Sequence, residues 1–263
     1  TIIRSMAYSL LSLPGLLIAA LFALLGLLVG AALNVLADDL PQHIRPQRPR
    51  CINCLTPRAP SGWLAMVRTL RGERCPSCDF PVRRRELWVE VGTALIFAAL
   101  PFLLDRPADL LFGALYVALF ILVIVTDLEH RLILHAVTFP GTLLGLLGSL
   151  FVSYNSLPMA LLGAVTGFVF FFVLYWVGSR LLGAGALGFG DVTLATMIGA
   201  MTGFPLVLLA LVLGILLGGL ITALLLLTRR LTMRSYLAYG PFLAVAGIVA
   251  VVWAEGLLGW YLR

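Results

Sequence analysis

Long apolar runs separated by short polar segments dominate the chain. A helix that crosses a hydrocarbon core of about 30 Å needs roughly 20 apolar residues, because each residue adds about 1.5 Å. The runs that meet or approach this length are Ser5–Ala37, Leu87–Leu104, Leu110–Thr126, Leu132–Ser179, Val192–Thr228 and Leu237–Leu258. The pattern therefore predicts an all-α polytopic membrane protein.

Two of these runs are too long for a single pass through the membrane. Turn-forming residues divide the run Leu132–Ser179 at Ser153–Pro158, and they divide Val192–Thr228 at Thr202–Pro205. Dividing both runs gives eight predicted transmembrane helices. The sixth, which begins near Val192, is short.

Arginine supplies all 18 basic residues, and its distribution predicts the orientation. With eight spans and residues 38–86 in the cytoplasm, 15 arginines lie inside, and only Arg4, Arg106 and Arg263 lie outside. This agrees with the excess of Lys and Arg in cytoplasmic loops. A single pass through Val192–Thr228 would move three further arginines outside, which are Arg229, Arg230 and Arg234. The charge distribution therefore favours eight spans.

The composition excludes two classes of protein. Hydrophobic residues make up 61% of the chain and charged residues 11%, whereas soluble domains carry about 45–50% and about 25%. Such a chain cannot cover a soluble surface, and disordered chains are poor in apolar residues. The net charge of +6 predicts contact with anionic lipid at the cytoplasmic surface and no nucleic acid partner.

The polar segment of residues 38–86 contains all the cysteines, which are Cys51, Cys54, Cys75 and Cys78. Two Cys-x-x-Cys pairs at this separation match the spacing of a four-thiolate zinc site. Because cysteines fill every ligand position, the zinc is expected to be structural. Iron and disulfides are the alternatives, and a reducing cytoplasm disfavours disulfides. We predict a first transmembrane helix in residues 1–37, a cytoplasmic zinc module in 38–86, and a transmembrane catalytic region of about seven helices in 87–263.

Two aspartates stand where an apolar run meets the cytoplasmic side. Asp127 ends the third predicted span, and Asp191 opens the sixth after Gly188 and Gly190. Acids at membrane depth are costly and are usually functional. Taken singly, Asp191 also fits a helix N-cap, and Asp127 also fits a solvated helix end. Together at one membrane face, they predict a catalytic dyad.

Two carboxylates that share a proton can hydrolyse an amide, because the ionised one activates water while the protonated one polarises the carbonyl. Asp191 at a helix start is expected to be the base and Asp127 at a helix end the acid, because the helix dipole favours negative charge at the N-terminus. Gly188 and Gly190 have no side chains. An extended substrate backbone is therefore expected to approach Asp191 there.

Several motifs together resemble those of the type 4 prepilin peptidases, which are membrane aspartic proteases. They are Leu33-Asn34-Val35, the two cysteine pairs, Glu90, Asp127, Gly188-Phe189-Gly190-Asp191 and Tyr239-Gly240-Pro241-Phe242-Leu243. The resemblance covers nearly the whole chain. It implies a multi-pass protein of the bacterial inner membrane that serves a type IV pilus or a type II secretion system.

The resemblance also implies an activity. The enzyme is expected to cleave the short basic leader of prepilins and pseudopilins after a Gly at the cytoplasmic face, with Asp127 and Asp191 as its catalytic residues. Relatives with a four-cysteine module commonly also methylate the new amino terminus. S-adenosylmethionine is therefore expected as a second cofactor beside Zn²⁺.

Three positions depart from the family pattern without removing a catalytic carboxylate. Asp39 stands where Arg is usual, Leu134 replaces Pro, and Thr193 replaces Lys. Two other classes of protein remain as alternatives. A presenilin-like intramembrane protease also uses Gly-x-Gly-Asp, but its Pro-Ala-Leu motif is absent from this sequence. A non-enzymatic transporter with a zinc-bound loop is expected to show repeated halves or polar residues at mid-membrane.

Overall fold

The computed structural model describes residues 13–42, 45–181, 188–228 and 238–261, and the regular structure in these ranges is helical. The chain divides into two compact units, Thr1–Asp105 and Arg106–Arg263. The first residues of the first predicted span, and the first residue of the eighth, lie outside the described residues. So do some of the arginines that predict the orientation, which are Arg4, Arg229, Arg230, Arg234 and Arg263.

The first unit contains two longer helices and the cysteine segment between them. Its helices are α1 (Leu13–Asp39), α2 (Ala65–Leu70) and α3 (Arg84–Ala99), with short 3₁₀ turns at Leu40–Gln42, Pro60–Gly62 and Leu100–Phe102. Glycines let α1 and α3 approach closely. A Cβ at Gly26 would lie 2.7 Å from Ala94 Cα, and one at Gly30 would lie 2.8 Å from Glu90 Cα. Small residues four apart are a common device for packing membrane helices.

The second unit is built around one buried helix. Its helices are α4 (Pro107–His130), α5 (His135–Gly148), α6 (Leu157–Leu181), α7 (Phe189–Thr202), α8 (Leu206–Leu227), α9 (Gly240–Val252) and α10 (Ala254–Tyr261). Eleven of the 14 residues of α7 are buried, because α7 packs against α5, α6, α8 and α9. Gly163 and Gly167 of α6 lie against the α7 backbone. The helix that begins with the predicted Asp191 motif is therefore the core of this unit.

Both predicted breaks in the long apolar runs are confirmed. α5 ends at Gly148 and α6 begins at Leu157, while α7 ends at Thr202 and α8 begins at Leu206. Asn155 in the first break donates hydrogen bonds to the carbonyls of Ala200 (3.2 Å) and Met201 (3.4 Å). This turn therefore also holds the end of α7.

Four helices in the described part of the chain are long and apolar enough to cross a membrane. They are Leu13–Gln42, Pro107–His130, Leu157–Leu181 and Leu206–Leu227. The other predicted spans correspond to α3, α5, α7 and α9, which have 16, 14, 14 and 13 residues. A helix of 14 residues extends only about 21 Å, which is less than a hydrocarbon core of about 30 Å. Over the described residues the fold is all-helical, and its four long apolar helices are consistent with a multi-pass membrane protein.

Candidate active site

Asp127 lies in the last turn of α4, where the structure buries it. Its residue is 4% exposed, and its Oδ2 has no hydrogen-bond partner among the described residues. α4 ends just beyond it, because Arg131 adopts a left-handed conformation (φ 53°) and its N–H donates to the Asp127 carbonyl at 2.9 Å. Asp127 is therefore a buried carboxylate at a helix C-terminus, and its Oδ2 is closed to solvent beside the Gly240 backbone.

Asp191 lies in the first turn of α7 and is 6% exposed. The N–H of Gly188 donates to its Oδ2 at 3.2 Å. The positive end of the α7 dipole and this N–H both favour an ionised carboxylate. The geometry agrees with the predicted placement of Asp191 at a helix start and Asp127 at a helix end.

The first turn of α7, which holds Asp191, and the last turn of α4, which holds Asp127, are linked through Ile133 and Gly240. Ile133 and the residues at the start of α9 fill the space beside them. A Cβ at Gly240 would lie 2.6 Å from Asp127 Oδ2 and 3.0 Å from Ile133 Cδ1, and one at Gly190 would lie 2.8 Å from Ile133 Cβ. The backbone at Gly240 therefore touches one carboxylate, while Ile133 packs against both glycines.

Gly188 and Gly190 thus have contacts within the protein. Gly188 donates its N–H to Asp191, and Gly190 gives room to the Ile133 side chain. Both are half-buried. Approach of a substrate backbone at these glycines stays a prediction.

Thr193, which stands where Lys is usual, belongs to a hydroxyl network beside Asp191. Its Oγ1 donates to the Gly190 carbonyl at 2.9 Å and accepts from Thr138 Oγ1 at 3.1 Å. His135 Nδ1 lies 3.3 Å from the same oxygen. These contacts tie the first turn of α7 to the first turn of α5. The Thr193 hydroxyl therefore helps to hold the turn that carries Asp191.

The four cysteines of the first unit converge, as predicted. Their sulfur atoms all lie within 4.8 Å of one another, with Cys51 and Cys78 3.7 Å apart and Cys54 and Cys75 3.5 Å apart. A tetrahedral site with Zn–S bonds of about 2.3 Å has sulfur atoms about 3.8 Å apart. Disulfide sulfurs are about 2.05 Å apart. The donor set therefore fits a four-thiolate metal ion.

Two matching turns present these thiols. The N–H of Leu55 donates to the Cys51 carbonyl and that of Asp79 to the Cys75 carbonyl, both at 2.8 Å. Leu55 and Asp79 both have positive φ, at 58° and 55°. Hydrogen bonds with Thr56 lower the pKa of the Cys54 thiol to about 6, whereas burial raises the pKa of the Cys78 thiol to about 11. A bound metal ion would hold both as thiolates.

Arginine–carboxylate pairs join the cysteine segment to the ends of α1 and α3. Glu86 is buried and contacts Arg58 (2.9 Å), Arg68 and Arg83 (3.3 Å). Burial by itself raises the pKa of Glu86, but the hydrogen bond and charge of Arg58, with the charges of Arg68 and Arg83, lower it below its usual value. Glu86 is therefore held as a carboxylate.

Two further acids of the first unit, Asp39 and Glu90, stand at positions where the sequence was compared with the family pattern, and the structure shows their partners. Asp39, which stands where Arg is usual, accepts from Arg50 and from the Gln47 N–H, both at 2.8 Å. Glu90, which belongs to the family motifs, accepts the N–H groups of Ala65 (2.7 Å) and Met66 (2.8 Å). Glu90 therefore anchors the start of α2 to α3. The sequence could not reveal these partners, because they lie up to 25 positions away.

Comparison with known proteins agrees with this arrangement. The model of the type IV leader peptidase family matches residues 114–223, which contain both Asp127 and Asp191. The prepilin leader peptidase/N-methyltransferase of Aeromonas hydrophila is 30% identical over 227 residues, which cover 86% of this chain and 78% of that protein. The chain belongs to the type IV leader peptidase family. It is therefore a peptidase, and hence a hydrolase.

Other relatives of this peptidase carry the same name. The prepilin leader peptidase/N-methyltransferase of Pseudomonas aeruginosa is 28% identical, with 91% of this chain and 92% of that protein covered. The one from Bacillus subtilis is 26% identical, with coverage of 90% and 95%. No solved structure matches the chain.

Proposed function

We propose that this peptidase removes the short basic leader of type 4 prepilins and pseudopilins, cleaving after a Gly at the cytoplasmic face of the inner membrane. The observation that carries the proposal is the pair of buried aspartates in the family-matched region, each at a helix end and linked by Ile133, which packs against Gly190 beside Asp191 and against Gly240 beside Asp127. The family match favours this function over the presenilin-like protease and the transporter.

The helix ends support separate roles for the two carboxylates. Asp191, with the Gly188 N–H and the positive end of α7, is the base that takes a proton from water. Asp127, at the negative end of α4, carries the proton that polarises the scissile carbonyl. The water oxygen bonds to the carbonyl carbon, the C–N bond breaks, and the leaving amine takes up a proton. The pair titrates as a unit, so a pH profile alone does not assign the roles.

The proposed setting is eight membrane passes, with the cysteine module and the active site on the cytoplasmic side. The arginine distribution along the sequence supports this topology. Cys51, Cys54, Cys75 and Cys78 would hold a structural Zn²⁺, which supplies a crosslink between the two cysteine turns. Exposed arginines such as Arg45, Arg71 and Arg74 suit contact with anionic lipid.

The names of the relatives support a second activity, which is N-methylation of the new amino terminus. S-adenosylmethionine would supply the methyl group. Its sulfonium would release the methyl group to the amine nitrogen and leave as a neutral thioether, and the nitrogen would lose a proton.

Intact-protein mass spectrometry of a prepilin incubated with the purified chain tests the proposal. We expect a mass loss equal to the leader, and a further gain of one CH₂ when S-adenosylmethionine is added. A matched prepilin with a bulky residue in place of the Gly should stay uncleaved. The proposal is wrong if no member of a panel of prepilins and pseudopilins loses its leader.

Gly240→Ala is expected to lower kcat for leader removal. Its Cβ would lie 2.6 Å from Asp127 Oδ2, so the carboxylate has to move, and a shift of about 1 Å can cost about 100-fold in rate. Gly219→Ala is the matched control, because a Cβ there meets nothing within 4 Å. Single-turnover cleavage rates compare the two variants. Equal rates for both would show that the Gly240 contact does not position Asp127.

A further inference from the structure

His135 is the first residue of α5, and its side chain reaches the turn that carries Asp191. The residue is exposed, and its Nδ1 lies 3.3 Å from Thr193 Oγ1. Thr193 is buried and follows Asp191 by two positions in the first turn of α7. The roles proposed for the two aspartates do not involve His135, so the imidazole is a polar group beside the site without an assigned role.

The hydrogen bonds around Thr193 assign a proton to His135. Thr193 Oγ1 has one hydrogen, and it donates this hydrogen to the Gly190 carbonyl at 2.9 Å, because a carbonyl can only accept. Thr138 Oγ1 donates to the same Thr193 oxygen at 3.1 Å. The lone pair that remains on Thr193 can then pair only with an N–H. His135 Nδ1 is therefore a donor, and the neutral imidazole carries its hydrogen there.

Aromatic rings fix the orientation of this imidazole. The ring centroid of His135 lies 5.5 Å from that of Phe139 and 6.0 Å from that of Phe189, which it meets edge to face. Phe189 meets Tyr175 of α6 in the same way at 5.9 Å. Aromatic pairs at these separations favour defined geometries. Phe189 precedes Asp191 by two positions, so His135 contacts the turn on both sides of the aspartate.

The segment that carries His135 also leads back to the other aspartate. The N–H of Arg131 donates to the Asp127 carbonyl at 2.9 Å, and Ile133 packs against Gly190. His135 follows two positions later. Its hydrogen bond to Thr193 therefore joins the start of α7 to the chain that leaves the Asp127 helix. Loss of this bond would let the two helix ends shift relative to each other.

We propose that His135 is a positioning residue for leader removal, because its Nδ1–H holds Thr193 and thereby the turn that presents Asp191. The inference rests on the proposed peptidase function and adds a residue to it. Catalytic groups have to be held within about 0.5 Å of their productive geometry. His135 acts through Thr193 and does not touch the substrate. A variant without the Nδ1–H should therefore lower kcat and leave KM nearly unchanged.

His135→Phe and His135→Asn separate the hydrogen bond from the ring. Phenylalanine keeps an aromatic ring beside Phe139 and Phe189 but has no N–H. The asparagine Nδ2 is bonded to Cγ, as the histidine Nδ1 is, and can donate to Thr193. In steady-state cleavage of a prepilin, we expect His135→Phe to lower kcat about tenfold, with KM within about twofold of the wild type. His135→Asn should keep kcat within about threefold. The opposite order would show that only the ring matters and would overturn the proposal.

Thr193→Val tests whether His135 acts through Thr193. Valine has no hydroxyl, so this variant should also lower kcat. Adding His135→Phe to it should cost less than about a further twofold, because residues that share one interaction are not additive. His130→Phe is the matched control, since His130 is exposed and its imidazole lies 4.0 Å from the Glu129 carboxylate. Thermal midpoint and metal content show whether each variant is folded.

Nitrogen NMR of the wild type with isotope-labelled histidine covers the case in which His135→Phe does not fold. In alkaline buffer, where imidazoles are neutral, the signal that is missing from His135→Asn should show its hydrogen on Nδ1. A hydrogen on Nε2 would overturn the assignment whether or not a prepilin is cleaved. Unchanged kcat in folded His135→Phe, fully multiplicative losses in the double variant, or a raised KM alone would overturn the positioning role while leaving leader removal by the wild type intact. If the wild type cleaves no prepilin, the proposed function itself is wrong.

Discussion

Changing Asp127 or Asp191 to Asn is expected to lower the rate of leader removal by about 10⁴-fold. An amide cannot take a proton from water and cannot release one to the scissile carbonyl. Neither aspartate can replace the other, because the reaction needs one ionised and one protonated carboxyl group at the same time. Single-turnover cleavage of a prepilin, followed by mass spectrometry, measures the loss.

Glu129→Gln is the matched control for these variants. Glu129 lies two positions after Asp127 in the same helix and is exposed, so the change removes a neighbouring carboxylate without touching the dyad. We expect its cleavage rate to remain within about threefold of the wild type, because exposed charges interact weakly through water. Near-normal turnover by either Asp→Asn variant would show that the mechanism does not use two aspartates.

Changing Cys51 and Cys75 together to Ser is expected to remove the metal and unfold the cysteine module. A segment of about 50 residues buries little apolar surface, and a structural zinc can supply about 10–16 kcal/mol of folding free energy in small domains. Elemental analysis should report one zinc per wild-type chain and almost none in the double variant. Limited proteolysis should then cut within residues 45–83, while the wild type resists.

Ser77→Ala separates the effect of the thiols from that of the turn. Ser77 lies between Cys75 and Cys78, and its hydroxyl accepts a hydrogen bond from Thr56 at 3.2 Å in an exposed position. We expect this variant to keep its metal and its protease resistance. Stoichiometric metal in the double Cys→Ser variant would contradict the four-thiolate site, and iron in place of zinc would correct the identity of the metal.

The fold was predictable where it depends on local composition. The apolar runs and the turns at Ser153–Pro158 and Thr202–Pro205 predicted where helices begin and end in the second unit. Helix length was harder to predict from the sequence. Hydropathy measures how far an apolar run extends, but the 14-residue length of α7 depends on where its ends bind neighbouring segments. In the described part of the chain, four helices are therefore long and apolar enough to cross a membrane.

The candidate site was predictable where the residue types themselves indicate the chemistry. Four cysteines in two pairs predicted the thiol cluster. Two acids at the ends of apolar runs predicted that Asp127 lies at a helix end and Asp191 at a helix start, and their catalytic role stays a prediction. The supporting contacts were not visible. Ile133 packs against Gly190 and Gly240, and no local pattern marks a contact between residues so far apart. In the sequence, nothing distinguishes Glu86 from the other acids of the basic segment. The structure shows that it is buried beside Arg58 and Arg68.

The central claim is that Asp127 and Asp191 act together on one water molecule, and the affinity of an uncleavable substrate analogue tests it most directly. One prepilin peptide carries a tetrahedral carbon with a hydroxyl in place of the scissile carbonyl, and its matched control carries a methylene. We predict that the hydroxyl analogue binds the wild type at least about 100-fold more tightly, and that this advantage disappears in both Asp→Asn variants. Equal affinity of the two analogues for the wild type, or an advantage that persists in both variants, would contradict the dyad.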